Sequence, residues 1–295
     1  MWPERLNPRW AAIKRNTETL IQTKTQRSRI NGVDLTLLFP AALTAQTVQA
    51  IWFASTDSQA PEPAERWLRG KAFSALVFTL KGQFALNGVL QPTEPLLMPD
   101  YTEAASITLL PDSQLTGICL QPGVATALFG QRPEAAIPLE ELESPLDWAQ
   151  LENTLLQQPN IWRQALAAYR WLKQHKLDQE YLPEPFATLL QNIANSSGDE
   201  KLGQLDSFFN PRKIERQFKH YIGISPKRYQ QLSRVNRVMD QLRHEPNAMP
   251  LTDIAHHMGY SDQAHLSREF KAFNRITPRQ YRTIILNRDS SSTSA

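Results

Sequence analysis

Residues 215–230 read ERQFKHYIGISPKRYQ, and residues 267–282 read SREFKAFNRITPRQYR. The two stretches align at an offset of 52, and no third copy exists in the 295 residues. Ile214 meets Leu266, Arg216 meets Arg268, Phe218 meets Phe270, Lys219 meets Lys271, and Tyr221 meets Phe273. Ile224, Pro226 and Tyr229 meet Ile276, Pro278 and Tyr281. The apolar matches at 214, 218 and 221 step by four and three, which puts them on one face of a helix. A unit repeated many times would stack as a solenoid, but two copies describe two similar small domains.

Each copy reads as a helix, a turn and a second helix. In copy two the spacing predicts a short helix from about Leu251 to Met258. Gly259 follows it and can take the left-handed conformation that ends a helix. Asp262, aided by Ser261, is the expected N-cap of the second helix. In copy one the equivalent cap is Asn210, with Pro211 at the first helical position, where proline is favoured. Ile254, the small Ala255, Leu266, Phe270 and Phe273 form the expected core of copy two.

The polar face of each second helix carries the chemistry. Copy one presents Arg212, Glu215 and Arg216; copy two presents Gln263, Ala264, Ser267 and Arg268. Arginine can fork onto guanine, glutamine onto adenine, and a small side chain can rest against a thymine methyl. Recognition helices offer such residues from their N-terminal half to the major groove. Between the copies, Tyr229, Leu232, Val235, Val238 and Leu242 make one apolar stripe, with Arg228, Arg234, Arg237 and Arg243 lying off it. A linking helix of about 17 residues would be roughly 25 Å long. It would hold two recognition helices about one DNA turn, near 34 Å, apart.

Working outward, charge singles out the same block. Net charge is +3, yet residues 201–295 hold 16 Lys+Arg against 8 Asp+Glu, while residues 1–200 hold 16 against 21. A basic block on an acidic body suits contact with a polyanion through that block alone. From about Leu146 upstream of it, Trp148, Leu151, Leu155, Ile161, Leu166, Tyr169 and Leu172 recur at helical steps. "ANSSGDE" reads as a flexible junction, and the tail from residue 289 as disordered. Residues 30–121 read as short strands: VDLTLLF, TVQAIWFA, FSALVFTL, ASITLL and LTGICLQ, separated by Pro- and Gly-rich segments.

The C-terminal block resembles the AraC-type DNA-binding domain. GISPKRYQQLSRVNRVMDQL is similar to that family's linker region, and LTDIAHHMGYSDQAHLSREFKAFNRITPRQYR to its signature stretch. The resemblance covers about residues 200–283. It implies base contacts by Arg212, Glu215 and Arg216, then by Gln263, Ala264, Ser267 and Arg268. In EKLGQLDSFF, Gly203 and Asp206 depart from the family's usual Ala and apolar residue, which points to a short or loosely packed first helix in copy one. AIWFAS, GICLQPGVATALFG and AIPLEELE resemble, more weakly, a sensor domain found fused to AraC-type domains. Family members are sequence-specific transcription regulators, often dimers.

Other chemistries lack their residues. No His precedes His175, so a metal centre of imidazoles in the front half is not expected. His256 and His257 are adjacent on a helix and diverge. There is no GxxxxGK[ST] loop and no GxSxG elbow. The acidic PLEELESPLD reads as a helix start and a solvated face. The single cysteine, Cys119, fits a reducing compartment and lies in an apolar strand with no cation nearby in sequence to lower its pKa. Trp52, Phe53, Trp67, Phe73, Phe78 and Phe84 either fill a core or line a pocket. With no signal peptide and no membrane span in the sequence, a cytoplasmic location is expected.

The expected fold is α+β. Residues 1–143 form a β-rich sensor domain, 144–195 a helical connector, and 196–288 an all-α domain of two helix-turn-helix units joined by a linker helix. Residues 289–295 form the tail. The expected function is transcription regulation, with activation as its keyword, rather than catalysis. Expected partners are double-stranded DNA through its major groove, RNA polymerase, a small-molecule effector reported by Trp52 and Trp67, and a second copy of the chain. No cofactor, metal or membrane enters this reading. Two alternatives remain open at this level: a DNA-repair or stress protein using Cys119 as alkyl acceptor, and a regulator controlled by a protein partner.

Overall fold

The computed structural model describes residues 24–30, 32–40, 44–59, 62–177, 180–196 and 210–292. It divides into two compact units. One gathers residues 1–67, 73–100 and 106–181; the other gathers 68–72, 101–105 and 182–295.

The first unit is built on eleven described strands: β1 (Lys24–Ile30), β2 (Val33–Phe39), β3 (Val48–Thr56), β4 (Ala64–Leu68), β5 (Ala75–Lys81), β6 (Phe84–Leu86), β7 (Val89–Leu90), β8 (Leu96–Met98), β9 (Ala105–Leu109), β10 (Gln114–Leu120) and β11 (Ile137–Pro138). All five stretches read as strands in the sequence are strands. The six others are short or, like β1, too polar to carry a hydrophobic alternation. Seven strands form one antiparallel sheet in the order β1-β2-β3-β10-β5-β8-β11, and four form a second in the order β4-β9-β6-β7. Gly117 of β10 faces Trp52 of β3 across the ladder. A Cβ at position 117 would stand 2.2 Å from Trp52 Cε2, so only glycine lets the indole lie on the neighbouring strand.

Among the described residues, this unit also holds the α-helices α1 (Thr44–Thr47), α2 (Val124–Phe129), α3 (Trp148–Leu156) and α4 (Ile161–Gln174). Asp147 caps α3 by accepting from the Gln150 N–H at 2.8 Å, and Asn160 caps α4 by accepting from the Trp162 and Arg163 N–H groups. Their apolar stripes, with Trp148, Leu151, Leu155, Ala165, Ala168 and Leu172, share one core with Phe53, Leu76, Phe78 and Ile118 of the sheet.

The second unit contains α5 (Glu184–Asn195), α6 (Pro211–Tyr221), α7 (Pro226–His244), α8 (Leu251–His257), α9 (Gln263–Asn274) and α10 (Pro278–Ser292). Its core joins Phe186, Leu189 and Ile193 of α5 to Phe218, Val235, Val238, Leu266, Phe270 and Phe273. Two corrections to the sequence reading follow. The expected connector 144–195 is not a separate element: α3 and α4 bury their stripes in the first unit, and α5 buries its own in the second. The expected tail from residue 289 begins as helix, because α10 continues to Ser292. The junction at 197–200 and the first helix of copy one, expected within 201–209, lie outside the described residues, as do 293–295.

Candidate nucleic-acid interface

The second helix of each copy is present, as α6 and α9, and both start where their caps were expected. The Asn210 side chain accepts from the Arg212 N–H at 2.9 Å, and Pro211 occupies the first position of α6. The Asp262 carboxylate accepts from the His265 N–H at 2.6 Å, with the Ser261 hydroxyl donating to its other oxygen at 3.3 Å. The His265 N–H first, against desolvation, and then the Ser261 hydroxyl, the Ala264 N–H and the Arg268 charge, hold this carboxyl below its ordinary value. Gly259 sits at φ 74°, a left-handed turn that ends α8 and allows the Tyr260 N–H to reach the Ala255 carbonyl at 2.9 Å.

One face of each helix is consumed by packing. Ile214 and Phe218 of α6 are buried, as are Leu266, Phe270 and Phe273 of α9. The other face is open. Arg212, Glu215 and Arg216 are exposed on α6, and Gln263, Ala264 and Arg268 are exposed on α9, while Ser267 is half-buried beside them. Lys219 and Lys271, one turn further along, are also exposed. Among the described residues, Arg212, Arg216, Lys219, Arg268 and Lys271 form no salt bridge, so their charges are available to an outside polyanion.

The linker helix α7 spans 19 residues, roughly 28 Å at the α-helical rise. Its stripe of Tyr229, Leu232, Val235, Val238 and Leu242 is buried as predicted. Its arginines are not a solvated face. Arg228 lies with its guanidinium 3.9 Å from the Phe273 ring centre. Arg237 donates to the Ala194 and Ser196 carbonyls at the end of α5. Arg243 donates to the Tyr281 hydroxyl at 3.3 Å. Arg234 makes a bidentate pair with Glu269 of α9, both side chains over nine-tenths buried. The segments 68–72 and 101–105, which belong to this unit, also meet α7 and α9. Arg69 pairs with Asp240 at 2.6 Å, and the Ala104 N–H donates to the Phe273 carbonyl at 2.8 Å. Sequence reasoning missed all of these roles. The one available signal was the position of Glu269 on the buried side of α9, between Leu266 and Phe270.

In the first unit, Trp52 is half-buried on Gly117, and Trp67 is 57% exposed on β4. Their strands, β3 and β4, belong to different sheets. Neither tryptophan lines the cavity of about 250 Å³ beside Arg163, Arg170 and Trp171, or the one of about 340 Å³ beside Glu94, Trp148 and Glu152. Burial first, and then the charge of Glu94, raise the Glu152 carboxyl above its ordinary value. Cys119 is 6% exposed on β10, which leaves little of its sulfur for an alkyl donor to reach. Among the described residues, no group of three or more His, Cys, Asp or Glu is placed to hold a metal ion, and no helix is long and apolar enough to cross a membrane.

Residues 207–284 match the family described as helix-turn-helix domain. Two curated relatives, both named HTH-type transcriptional activator RhaS and both from Escherichia coli O157:H7, are 37% identical over 71 residues. That match covers 24% of this chain and 25% of each relative, so the similarity spans a quarter of their length. Among solved structures, ToxT from Vibrio cholerae covers 79% of this chain and 97% of its own at 9% identity, with a TM-score of 0.43. ToxT from Vibrio cholerae O395 bound to (E)-4-(8-methylnaphthalen-1-yl)but-3-enoic acid gives a TM-score of 0.44 at 10% identity, with the same coverage.

Proposed function

We propose that this chain, whose residues 207–284 form an AraC-type helix-turn-helix domain, is a sequence-specific transcription regulator. The observation that carries the reading is the doubling: two capped helices, each with a buried apolar face, each present arginine from an open face. Arg212, Glu215 and Arg216 read one half-site, and Gln263, Ala264, Ser267 and Arg268 read the other, in successive major grooves. Lys219 and Lys271 hold phosphates. The DNA-bound chain then alters recruitment of RNA polymerase.

In this reading the β-rich unit receives the signal. It has its own core, shared by the sheet and its helices. A small molecule is the proposed effector, with Trp52 and Trp67 as its optical reporters, and a second copy of the chain is the proposed assembly partner. A signal acts only through unequal affinity for two states, so effector binding must change operator affinity. The primary test is selection of duplexes from a random pool by the full chain. Recovery of one bipartite motif, with half-sites about one helical turn apart, is expected. Equal binding to all duplexes would sink the reading.

A further inference from the structure

The two copies differ in how one polar position of the second helix is used. At the repeat offset, Glu269 of α9 corresponds to Gln217 of α6. Glu269 is the centre of a closed network. The Arg234 guanidinium donates Nε and Nη2 to Glu269 Oε1 at 3.1 and 2.9 Å, and Nη2 to Oε2 at 2.8 Å. The Tyr260 hydroxyl donates to Glu269 Oε1 at 3.0 Å. The third nitrogen of the fork, Arg234 Nη1, donates to the Gly259 carbonyl at 3.2 Å, and the guanidinium lies 4.2 Å from the Tyr260 ring centre. Linker helix, turn and recognition helix are therefore joined through one guanidinium. In copy one the Gln217 side-chain oxygen is buried and has no hydrogen-bond partner among the described residues.

An apolar helix face supplies attraction without direction, since hydrophobic burial is proportional to area and tolerates small rotations. A planar fork on a carboxylate fixes angle as well as distance. A base-reading side chain must be held within about 0.5 Å and 10–20° of its productive position. Arg268 and Ser267 are the immediate neighbours of Glu269 on α9, so rotation of this helix would carry both off their bases. Burial works against the Arg234 charge, but the hydrogen bonds and charge of Glu269 outweigh it and hold the guanidinium above its ordinary value. Burial and then the Glu269 charge push the Tyr260 hydroxyl far up, so it remains a donor.

We propose that Arg234, Glu269 and Tyr260 are positioning residues that lock the second recognition helix and make its half-site the more stringently read of the two. The proposal rests on the reading of α6 and α9 as DNA-contacting helices. A buried pair replaced by apolar residues of similar size is often neutral or stabilising, so stability and specificity can be separated.

The test uses the full chain and site selection from random duplexes, together with melting and binding to a non-specific duplex. In the wild type, base preference is expected to be sharper in the half read by α9 than in the half read by α6. Arg234→Met combined with Glu269→Leu should stay folded and bind non-specific duplex within about twofold of wild type, because no phosphate contact is removed. Its base preference in the α9 half should fall about tenfold or more, within the range of one lost base contact, while the α6 half is retained. Should that variant not fold, Arg234→Lys keeps the charge, loses the fork and should show the same one-sided loss. Arg243→Met, which removes a linker contact to α10, should leave both halves unchanged. A folded variant with wild-type preference in both halves, or an equal loss in both, overturns the positioning role. A wild type that selects no duplex overturns the DNA reading itself.

Discussion

At the scale of single residues, place along the helix divides the proposed base readers from the proposed phosphate holders, since both sets are exposed. Arg268 is exposed on the N-terminal half of α9, and its guanidinium can fork onto a base edge. Arg268→Ala is expected to cost about 1–3 kcal/mol at one base step and to relax preference there. Lys271, one turn on, should weaken all duplexes alike when changed to Ala. Enrichment of binding sites checks both, and an unchanged motif for Arg268→Ala would show that α9 is presented by another face. Asn210 acts on folding instead. Its side chain satisfies the Arg212 N–H, and Asn210→Ala should cost about 1 kcal/mol in denaturant unfolding of the second unit. The base-reading candidates were legible in the sequence because repetition and exposed polarity coincide. Arg234 was not, because a charged residue off an apolar stripe ordinarily faces solvent, and its partner Glu269 lies 35 residues away.

At the scale of elements, what the sequence showed was set by local signals. Strands β2, β3, β5, β9 and β10 carry β-branched and aromatic runs, and α7, α8 and α9 carry stripes, caps and a stop glycine. The short strands β6, β7, β8 and β11 owe their pairing to tertiary contacts, which leave no period in two or three residues. The assignment of α5 to the second unit was hidden for a related reason: a stripe declares that a helix buries one face, not which core receives it. The cap of α9 yields a pH prediction. The Asp262 carboxyl is held below its unfolded value of 3.8, so its contribution is complete above that value and is lost as pH falls through the lower, folded one. Thermal melts of wild type and Asp262→Ala should therefore differ at neutral pH and converge in acid below 3.8. A difference that does not change with pH would mean that the charge on this cap is immaterial. Core packing gives a larger effect. Phe270 is fully buried between α9 and its neighbours, and Phe270→Ala should cost about 3–5 kcal/mol, read as a fall in the unfolding midpoint.

At the scale of the whole molecule, the charge asymmetry along the chain takes on a more specific meaning. The C-terminal block is basic, but the arginines of α7 are turned inward, where they hold α5, α9 and α10. The exposed cations on the open faces of α6 and α9 are Arg212, Arg216, Lys219, Arg268 and Lys271. Binding that neutralises phosphates releases counterions, and log affinity falls with log salt by about 0.9 for each phosphate contact. Lys219→Ala and Lys271→Ala should each reduce that slope by about one contact, roughly 0.9. Arg237→Ala and Arg243→Ala should lower the melting temperature and leave the slope where it was. A salt titration of the full chain on one selected duplex distinguishes the two sets. If the linker arginines change the slope as much as the two lysines do, α7 itself lies along the phosphate backbone, and the inward contacts seen here do not persist when DNA is bound.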